Sequence, residues 1–516
     1  MGNKKQQPAQ EKHEIDIHIY FSDFFKVPPD TIEAYGALNI SLINDLPLFI
    51  DPFLLFYSPK EEYQGLHEKI LDYLSFLREK STSSTLNTGL IDSWYRFGEI
   101  KQTWLGFSQN GNQGRGLGKK FAHKLDSNLR NIFPKLGQEQ ITQSTHLEKL
   151  CLIEPGVGAD SISDYTTNLI VAYLAQYTQD FATQYLTPEQ CRKISVPKAE
   201  FSYELERWMP KSFTLPYFKG DFVLLTPRDI LVQDNTWINS HDLTKDFENI
   251  PSSIPNEQLR ATINNYFEQQ LPKRKKKTGA GRIVDERPSK KERDQAVYKT
   301  LHQFPQIIDY FIRQKEENGE KAISISESDV LFVQNLFIES AKAFALELGR
   351  TTAFYSCLAE DSYEAAMERL LYMKHVIENQ DGYRIFYVDG EPIKRESDLQ
   401  LLYKLVWFGT PHDVNAEVNN GRGPVDFKIS RGSKDKTLVE FKLASNSKLK
   451  QNLQNQVEVY KKANQTNKGI KAILYFSESE LEKINKVLKE LELESEPSVV
   501  LIDARADNKP SASNVK

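Results

Sequence analysis

The spacing of apolar positions changes character along this chain. From Glu14 to Leu271 it is dense, aromatic and irregular. IDIHIYF alternates as a strand does, and LPLFIDPFLLF is a buried run broken by prolines. Leu66, Ile70, Tyr73, Leu74, Phe76 and Leu77 recur at helical spacing, predicting a helix over Glu61–Glu79. Glu154–Ala182 reads as a glycine turn leading into a helix. Asp160 and Asp164 frame its start, with Ser163 or Asp164 as the cap, and first-turn acids suit the helix dipole better than a two-aspartate metal site. GDFVLLTPRDIL predicts a strand and then a helix capped by Thr226, with Pro227 at its first position. From Gln295 to Asn379 the period is 3.6 throughout, in YKTLHQFPQIIDYFIRQK, VLFVQNLFIESAKAFALELGR and SYEAAMERLLYMKHVIEN. Beyond Arg384 a short strand or hairpin precedes a helix over Glu396–Phe408. DVNAEV, VDFKIS and TLVEFKL then read as strands, and QNLQNQVEVYKKA returns to helical spacing.

Between these stretches lies KRKKKTGAGRIVDERPSKKER, basic, glycine- and proline-marked, with almost nothing to bury. The expected organisation is a tail (1–13), an α+β recognition or regulatory region (14–271), a basic linker (272–294), a helical region (295–384), an α/β domain with a mixed central sheet flanked by helices (385–503), and a second tail (504–516). At 516 residues the chain is too long for one ordinary domain core, and 39% hydrophobic with 11% aromatic residues suffices for packed domains. A net charge of −5, from 66 basic and 71 acidic side chains, confines any nucleic-acid surface to local patches. The patch with the right charge is Lys273, Arg274, Lys275, Lys276 and Lys277, an arm for phosphates. Cys151, Cys191 and Cys357 make neither a zinc spacing nor a disulfide framework, which fits a reducing cytoplasm. The most apolar window, Leu38–Tyr57, is interrupted by Asp45, Pro47, Asp51 and Pro52, so no membrane span is expected.

Two stretches imitate functional motifs. The loop Gly106–Leu125 is rich in glycine and lysine but lacks the phosphate-loop spacing, with Gln113 six positions before Lys119 and Lys120 where Ser or Thr should stand. Asp92 with Glu99-Ile100-Lys101 has the order of an acid and a Glu-x-Lys, without a helix at a suitable distance behind it.

The stretch His412–Ala463 is richer. Alternation puts Leu438, Glu440 and Lys442 on one face of a strand and Val439, Phe441 and Leu443 on the other. A hairpin with VDFKIS brings Asp426 beside Glu440 and Lys442. Two carboxylates converging with a lysine suit magnesium-dependent phosphodiester hydrolysis, because magnesium prefers oxygen ligands and activates bound water. The alternative is that these residues form the wet face of an edge hairpin. Gln456 and Tyr460, four apart, share a helical face that can point at the same place.

These residues, Gly423-Pro424-Val425-Asp426, Glu440-Phe441-Lys442 and Gln456-Val457-Glu458-Val459-Tyr460, resemble the PD-(D/E)xK nuclease superfamily in its RecB-type pattern. The resemblance covers residues 385–503 and implies a restriction-endonuclease-like fold there. It implies Asp426, Glu440 and the Phe441 carbonyl as ligands of Mg2+ or Mn2+, Lys442 as the catalytic lysine, and Gln456 and Tyr460 as substrate-contacting or ordering residues. An upstream acid belongs to the pattern. Glu417 and Glu396 compete for that role, and Glu417 is preferred for its place on the neighbouring strand. The expectation is a metal-dependent endonuclease acting on DNA in bacterial restriction or antiviral defence. A second copy, or a partner subunit supplying a sensor or motor, are further expected partners. The alternative is a non-cleaving nucleic-acid-binding or scaffold subunit with a nuclease-like fold.

Overall fold

A computed structural model of the chain describes residues 17–83, 88–106, 139–153, 157–272, 274–277, 283–285, 287–356, 359–409, 427–431, 435–454 and 468–509, with 122, 123, 125, 126 and 129 between them. Helices and small sheets alternate, giving a mixed α/β protein. Among the described residues no helix is long and apolar enough to cross a membrane.

In IDIHIYF, Ile17 and Ile19 are buried on either side of His18, but Tyr20 and Phe21 are buried as well, so the alternation does not continue. Among the described residues of this stretch no strand forms, since a single bridge joins Tyr20 to Ser41 before the helix Phe21–Phe25 begins. The His18 N–H instead donates to the Gly409 carbonyl at 2.9 Å, tying the start of the described chain to its C-terminal part. In LPLFIDPFLLF, Phe49–Ile50 pairs with Leu231–Val232. Asp51 then caps α1 (Pro52–Tyr57), accepting from the Phe53 N–H at 3.0 Å, with Pro52 where a missing N–H costs nothing. The predicted long helix is α2 (Glu61–Ser83).

Two local expectations are corrected, and a hairpin adds to them. Pro227 is followed by one 3-10 turn, Arg228–Ile230, and Thr226 caps no α-helix, since pairing with Phe49–Ile50 captures the backbone at Leu231. Helix α3 (Ala159–Leu169) starts after Gly158, so Ser163 and Asp164 lie inside it, and the Ser163 hydroxyl accepts from the Ile50 N–H at 2.8 Å. After α4 (Val171–Tyr185), β1 (Cys191–Ser202) and β2 (Arg207–Phe218) form a long antiparallel hairpin that the apolar pattern does not announce. Pro197, Pro210 and Pro216 argue against strands in the sequence. Pro197 and Pro210 fall at a register shift between Val196 and Glu200, where Lys198 takes a φ of 52°, while Pro216 pairs with Cys191 at the end of the ladder.

The basic segment is not structureless throughout. β3 (Lys275–Lys277) pairs antiparallel with β4 (Ile283–Asp285). Helices then follow as the period predicts: α5 (Lys290–Gln303), α6 (Gln306–Glu317), α7 (Gly319–Val333), a π-helical turn over Gln334–Ser340, α8 (Ala341–Thr351) and α9 (Ser362–Asn379). The π turn is locked from outside, because the Phe337 carbonyl accepts from the buried Tyr20 hydroxyl. Gly319 lies against the Tyr57 ring so closely that a Cβ there would sit 2.3 Å from it.

The C-terminal sheet has the order β5 (Phe427–Arg431), β6 (Asp435–Leu443), β7 (Lys468–Tyr475), β8 (Val499–Asp503). β5 and β6 are antiparallel, and β6–β7 and β7–β8 are parallel. Helices cover both faces. On one, Val439, Phe441 and Leu443 face α9 and α10 (Glu396–Trp407), with Phe441 and Tyr403 ring centroids 3.9 Å apart. On the other, Ile473 and Tyr475 meet Leu449, Leu453 and α11 (Glu478–Glu490) through Ile484 and Leu488. Each fully buried Val, Leu or Phe here contributes about 1.5–3 kcal/mol.

One continuous apolar core runs from Ile17 to Ala504, so residues of the segments 14–271, 295–384 and 385–503 share an interior. A polar clasp helps close it. The buried Glu316 of α6 accepts from the Gln143 N–H at 2.9 Å, from the Ser144 N–H at 3.2 Å, and lies 2.9 Å from His146 Nε2.

Candidate functional site

Strand β6 has a neighbour on each side and helices on each face, so both of its faces are buried. Glu440 and Lys442 are each 5% exposed, which removes the reading of a wet edge face. Two charged side chains persist in such a place only when compensated. The Lys442 ammonium lies 2.6 Å from Glu396 Oε1 and 3.0 Å from Glu440 Oε1. The first contact is a hydrogen bond. The second is a buried ion pair, in which the charge of Lys442 holds Glu440 Oε1.

Glu396 arrives from α10, where it is the first residue of the helix. That end carries the positive pole of the helix dipole and favours a carboxylate. Its Oε1 also receives the Gln400 side-chain N–H at 3.4 Å, and its Oε2 accepts from the side-chain amide of Asn446. Burial pushes the Glu440 carboxyl above its ordinary range. The ammonium of Lys442 and, further off, that of Lys471 pull it back, and the charge of Glu396 adds to the rise. Lys471 faces Glu440 in register on β7, and its ammonium donates to the Leu453 carbonyl at 2.7 Å.

The structure thus brings together Glu396, Glu440 and Lys442 of the expected set, with the Phe441 side chain in the core beneath them. Asp426, Glu417, Gln456 and Tyr460 lie outside the described residues; helical structure is described over 449–454, just ahead of Gln456. In the basic segment, Lys275, Lys276 and Lys277 are on β3 and Lys273 lies outside the described residues. Arg274 is engaged within the chain, 2.7 Å from Glu292. Most of the Gly106–Leu125 loop is also outside them, and Asp92 pairs with Arg96 at 3.9 Å.

Sequence reading missed Asn446, Lys471 and Arg395. Lys471 could be found only from the parallel register of β7 on β6, a long-range fact. Arg395 precedes Glu396 and joins it to the N-terminal region. Its guanidinium bridges Asp398, at 2.9 Å, and Asp234, and lies over the Phe332 ring.

Acids also gather elsewhere. Asp45, Asp160 and Asp164 feel one another and Glu99. Burial, then Asp160 and Glu99, push Asp164 up to about 8. The expected cap or dipole role for Asp164 is therefore replaced by an inward position in α3. Asp51 and Glu148 form a second, fully buried carboxyl pair, both raised chiefly by burial. Among the described residues no group of three or more His, Cys, Asp or Glu is arranged to hold a metal ion.

Two family models match the chain, each described as a domain of unknown function: DUF8370 over residues 26–239 and DUF8371 over residues 362–478. No curated protein and no solved structure matches it. The second match contains Glu396, Glu440, Lys442 and Asn446, and the first contains Asp234.

Proposed function

We propose that the chain is a metal-dependent nuclease, acting on DNA, whose C-terminal sheet and helices form a restriction-endonuclease-like catalytic unit. The observation that carries this reading is the buried lysine placed between two carboxylates, Glu396 and Glu440. The Glu440 and Glu396 carboxylates offer hard oxygens to a divalent cation, and Asp426 would complete the donor set as the resemblance implies. Glu396 takes the upstream acid's place in this reading, with Glu417 retained as the competitor. When bound, Mg2+ or Mn2+ supplies charge for the phosphate and lowers the pKa of a water.

The chain's own contribution is then plain. Lys442, held by Glu396, presents an ammonium to the attacking water and to the phosphate oxygens as negative charge develops. A water oxygen adds to phosphorus, the bond from phosphorus to one sugar oxygen breaks, and that oxygen takes up a proton. The apolar layer of Val439, Phe441 and Leu443 keeps the acids fixed from below. The basic segment around Lys275–Lys277 would add sequence-independent attraction to the phosphate backbone. A role in antiviral defence, with a second copy or a sensor subunit, is the biological setting we infer.

The test is cleavage of plasmid DNA, single-stranded DNA and RNA with Mg2+ or Mn2+ against EDTA, using wild type, Lys442→Ala and Asp426→Ala. Metal-dependent cutting by wild type alone supports the reading. Cutting that survives both substitutions refutes the site, and wild-type binding of DNA without cleavage refutes the activity.

A further inference from the structure

We propose that Asn446 is a positioning residue for the site, holding the Glu396 carboxylate in the orientation in which Lys442 lies between it and Glu440 and both acids can serve a metal. This rests on the nuclease reading above and adds a residue to it.

Asn446 stands four residues beyond Lys442, in the turn that ends β6. The turn fixes its amide. The Asn446 N–H donates to the Leu443 carbonyl at 3.1 Å, and its Oδ1 accepts from the Lys448 N–H at 2.8 Å. With the oxygen occupied, the amide nitrogen is the end that faces Glu396, and it donates to Oε2. The backbone of this turn is clamped from α11, where the Lys483 ammonium donates to the Ala444 carbonyl at 2.6 Å and the Asn446 carbonyl at 3.0 Å.

Glu396 therefore has donors on both oxygens, Lys442 and Gln400 on Oε1 and Asn446 on Oε2. Its carboxylate plane is fixed. Without the Asn446 donor, the carboxylate is free to turn about Lys442 toward Glu440, where the two negative charges oppose each other. A neutral donor is the right device, because a second cation would compete with the metal for Glu396 and a second carboxylate would repel it. Outer partners of this kind commonly change metal affinity 10–100-fold.

Asn446 also has a merely structural task, capping its own turn, and two variants separate the tasks. Asn446→Ser keeps an acceptor for the Lys448 N–H but cannot reach Glu396. Asn446→Asp keeps the acceptor and replaces the donor with a charge. Calorimetric titration of the full chain with Mn2+, with Glu440→Gln as the blank, reads the first. We expect the site affinity of Asn446→Ser to fall at least 10-fold while its urea midpoint stays at the wild-type value. The pH profile of cleavage reads the second. Asn446→Asp should move the acid limb to higher pH by about one unit, since like charges disfavour ionisation. Wild-type affinity in Asn446→Ser overturns the role of Asn446 and leaves the nuclease reading standing. If wild type binds Mn2+ but cuts nothing, the titration still decides the role of Asn446. If wild type gives the same isotherm as Glu440→Gln, both proposals fail.

Discussion

Replacing Lys442 by methionine keeps much of the side-chain volume and removes the charge between Glu396 and Glu440. At 2.6 and 3.0 Å, with an effective dielectric constant of about 20, each contact has a Coulomb energy of about 6 kcal/mol. Most of that is offset by the cost of burying the ammonium, and breaking such a pair costs about 3–5 kcal/mol because the partner is left uncompensated. The loss should depend on pH with a definite sign. Burial and Glu396 already raise the Glu440 carboxyl, and without Lys442 it rises further. The folded variant then keeps a proton that the unfolded chain releases above about pH 4.3. Its stability falls as pH climbs from there to the raised folded value and is flat beyond it. Relative to wild type, the deficit should be small near pH 5 and full at pH 8. Urea unfolding of wild type and Lys442→Met at those two values measures it. On the nuclease reading, cleavage falls at least about 100-fold as well, the usual effect of losing one charge-stabilising donor. A deficit of equal size at both pH values, or none at either, would show that the lysine is not what compensates the buried acids.

The buried pair Asp51 and Glu148 makes a related prediction. Both are raised by burial, so they withdraw stability as pH rises from about 4 through their folded values; Glu148→Gln should flatten this decline between pH 5 and 8 in urea melts, and an unchanged slope would show the pair is not its source. In the junction to the N-terminal region, Asp234 is 64% exposed at its side chain, so Asp234→Ala should cost less than about 1 kcal/mol. Arg395→Ala leaves the buried Asp398 uncompensated and should cost about 3 kcal/mol or more; equal destabilisation by the two substitutions in denaturant melts would mean that Asp398 does not depend on Arg395. Neutralising Lys273–Lys277 should make DNA binding less sensitive to salt, the logarithmic slope shrinking by up to about 0.9 for each phosphate no longer neutralised, with Mn2+ affinity unchanged; a wild-type slope would reduce the segment to a tether.

Legibility in the sequence followed the range of the interactions. Period alone gave the helices around Leu66–Leu77 and from Gln295 to Asn379, because one apolar face per helix is a local property. It also separated Glu440 and Lys442 from Val439, Phe441 and Leu443. What period could not supply was burial on both faces of β6, which depends on β7 arriving in parallel register from residues 468–475. The hairpin of β1 and β2 was hidden by its prolines, and the short fate of Thr226–Ile230 was decided by Phe49, some 180 positions away. Local cap chemistry failed at Ser163 for the same reason: its hydroxyl serves Ile50, and the helix begins four residues earlier.

The N-terminal region and α10 meet at a junction of the same long-range kind. A Glu-x-Lys on a strand is a local feature, and its neighbour Glu396 is delivered by a different element, the first turn of α10. The residue just before that acid, Arg395, is held by Asp234 and lies over Phe332, where α7 gives way to the π turn locked by Tyr20. The start of α10 is thus set from one side by the N-terminal region and from the other by Lys442 and Asn446. Moving the loop that carries Asp234 would pull on the helix end that carries Glu396 without touching β6. If the site cuts phosphodiesters, this junction is one ionic route by which the N-terminal region could govern it. Pairing Asp234→Ala with Asn446→Ser tests that route: cleavage losses that fail to multiply would mean that both substitutions act on the placement of Glu396, whereas independent, multiplying losses would separate the N-terminal region from the site.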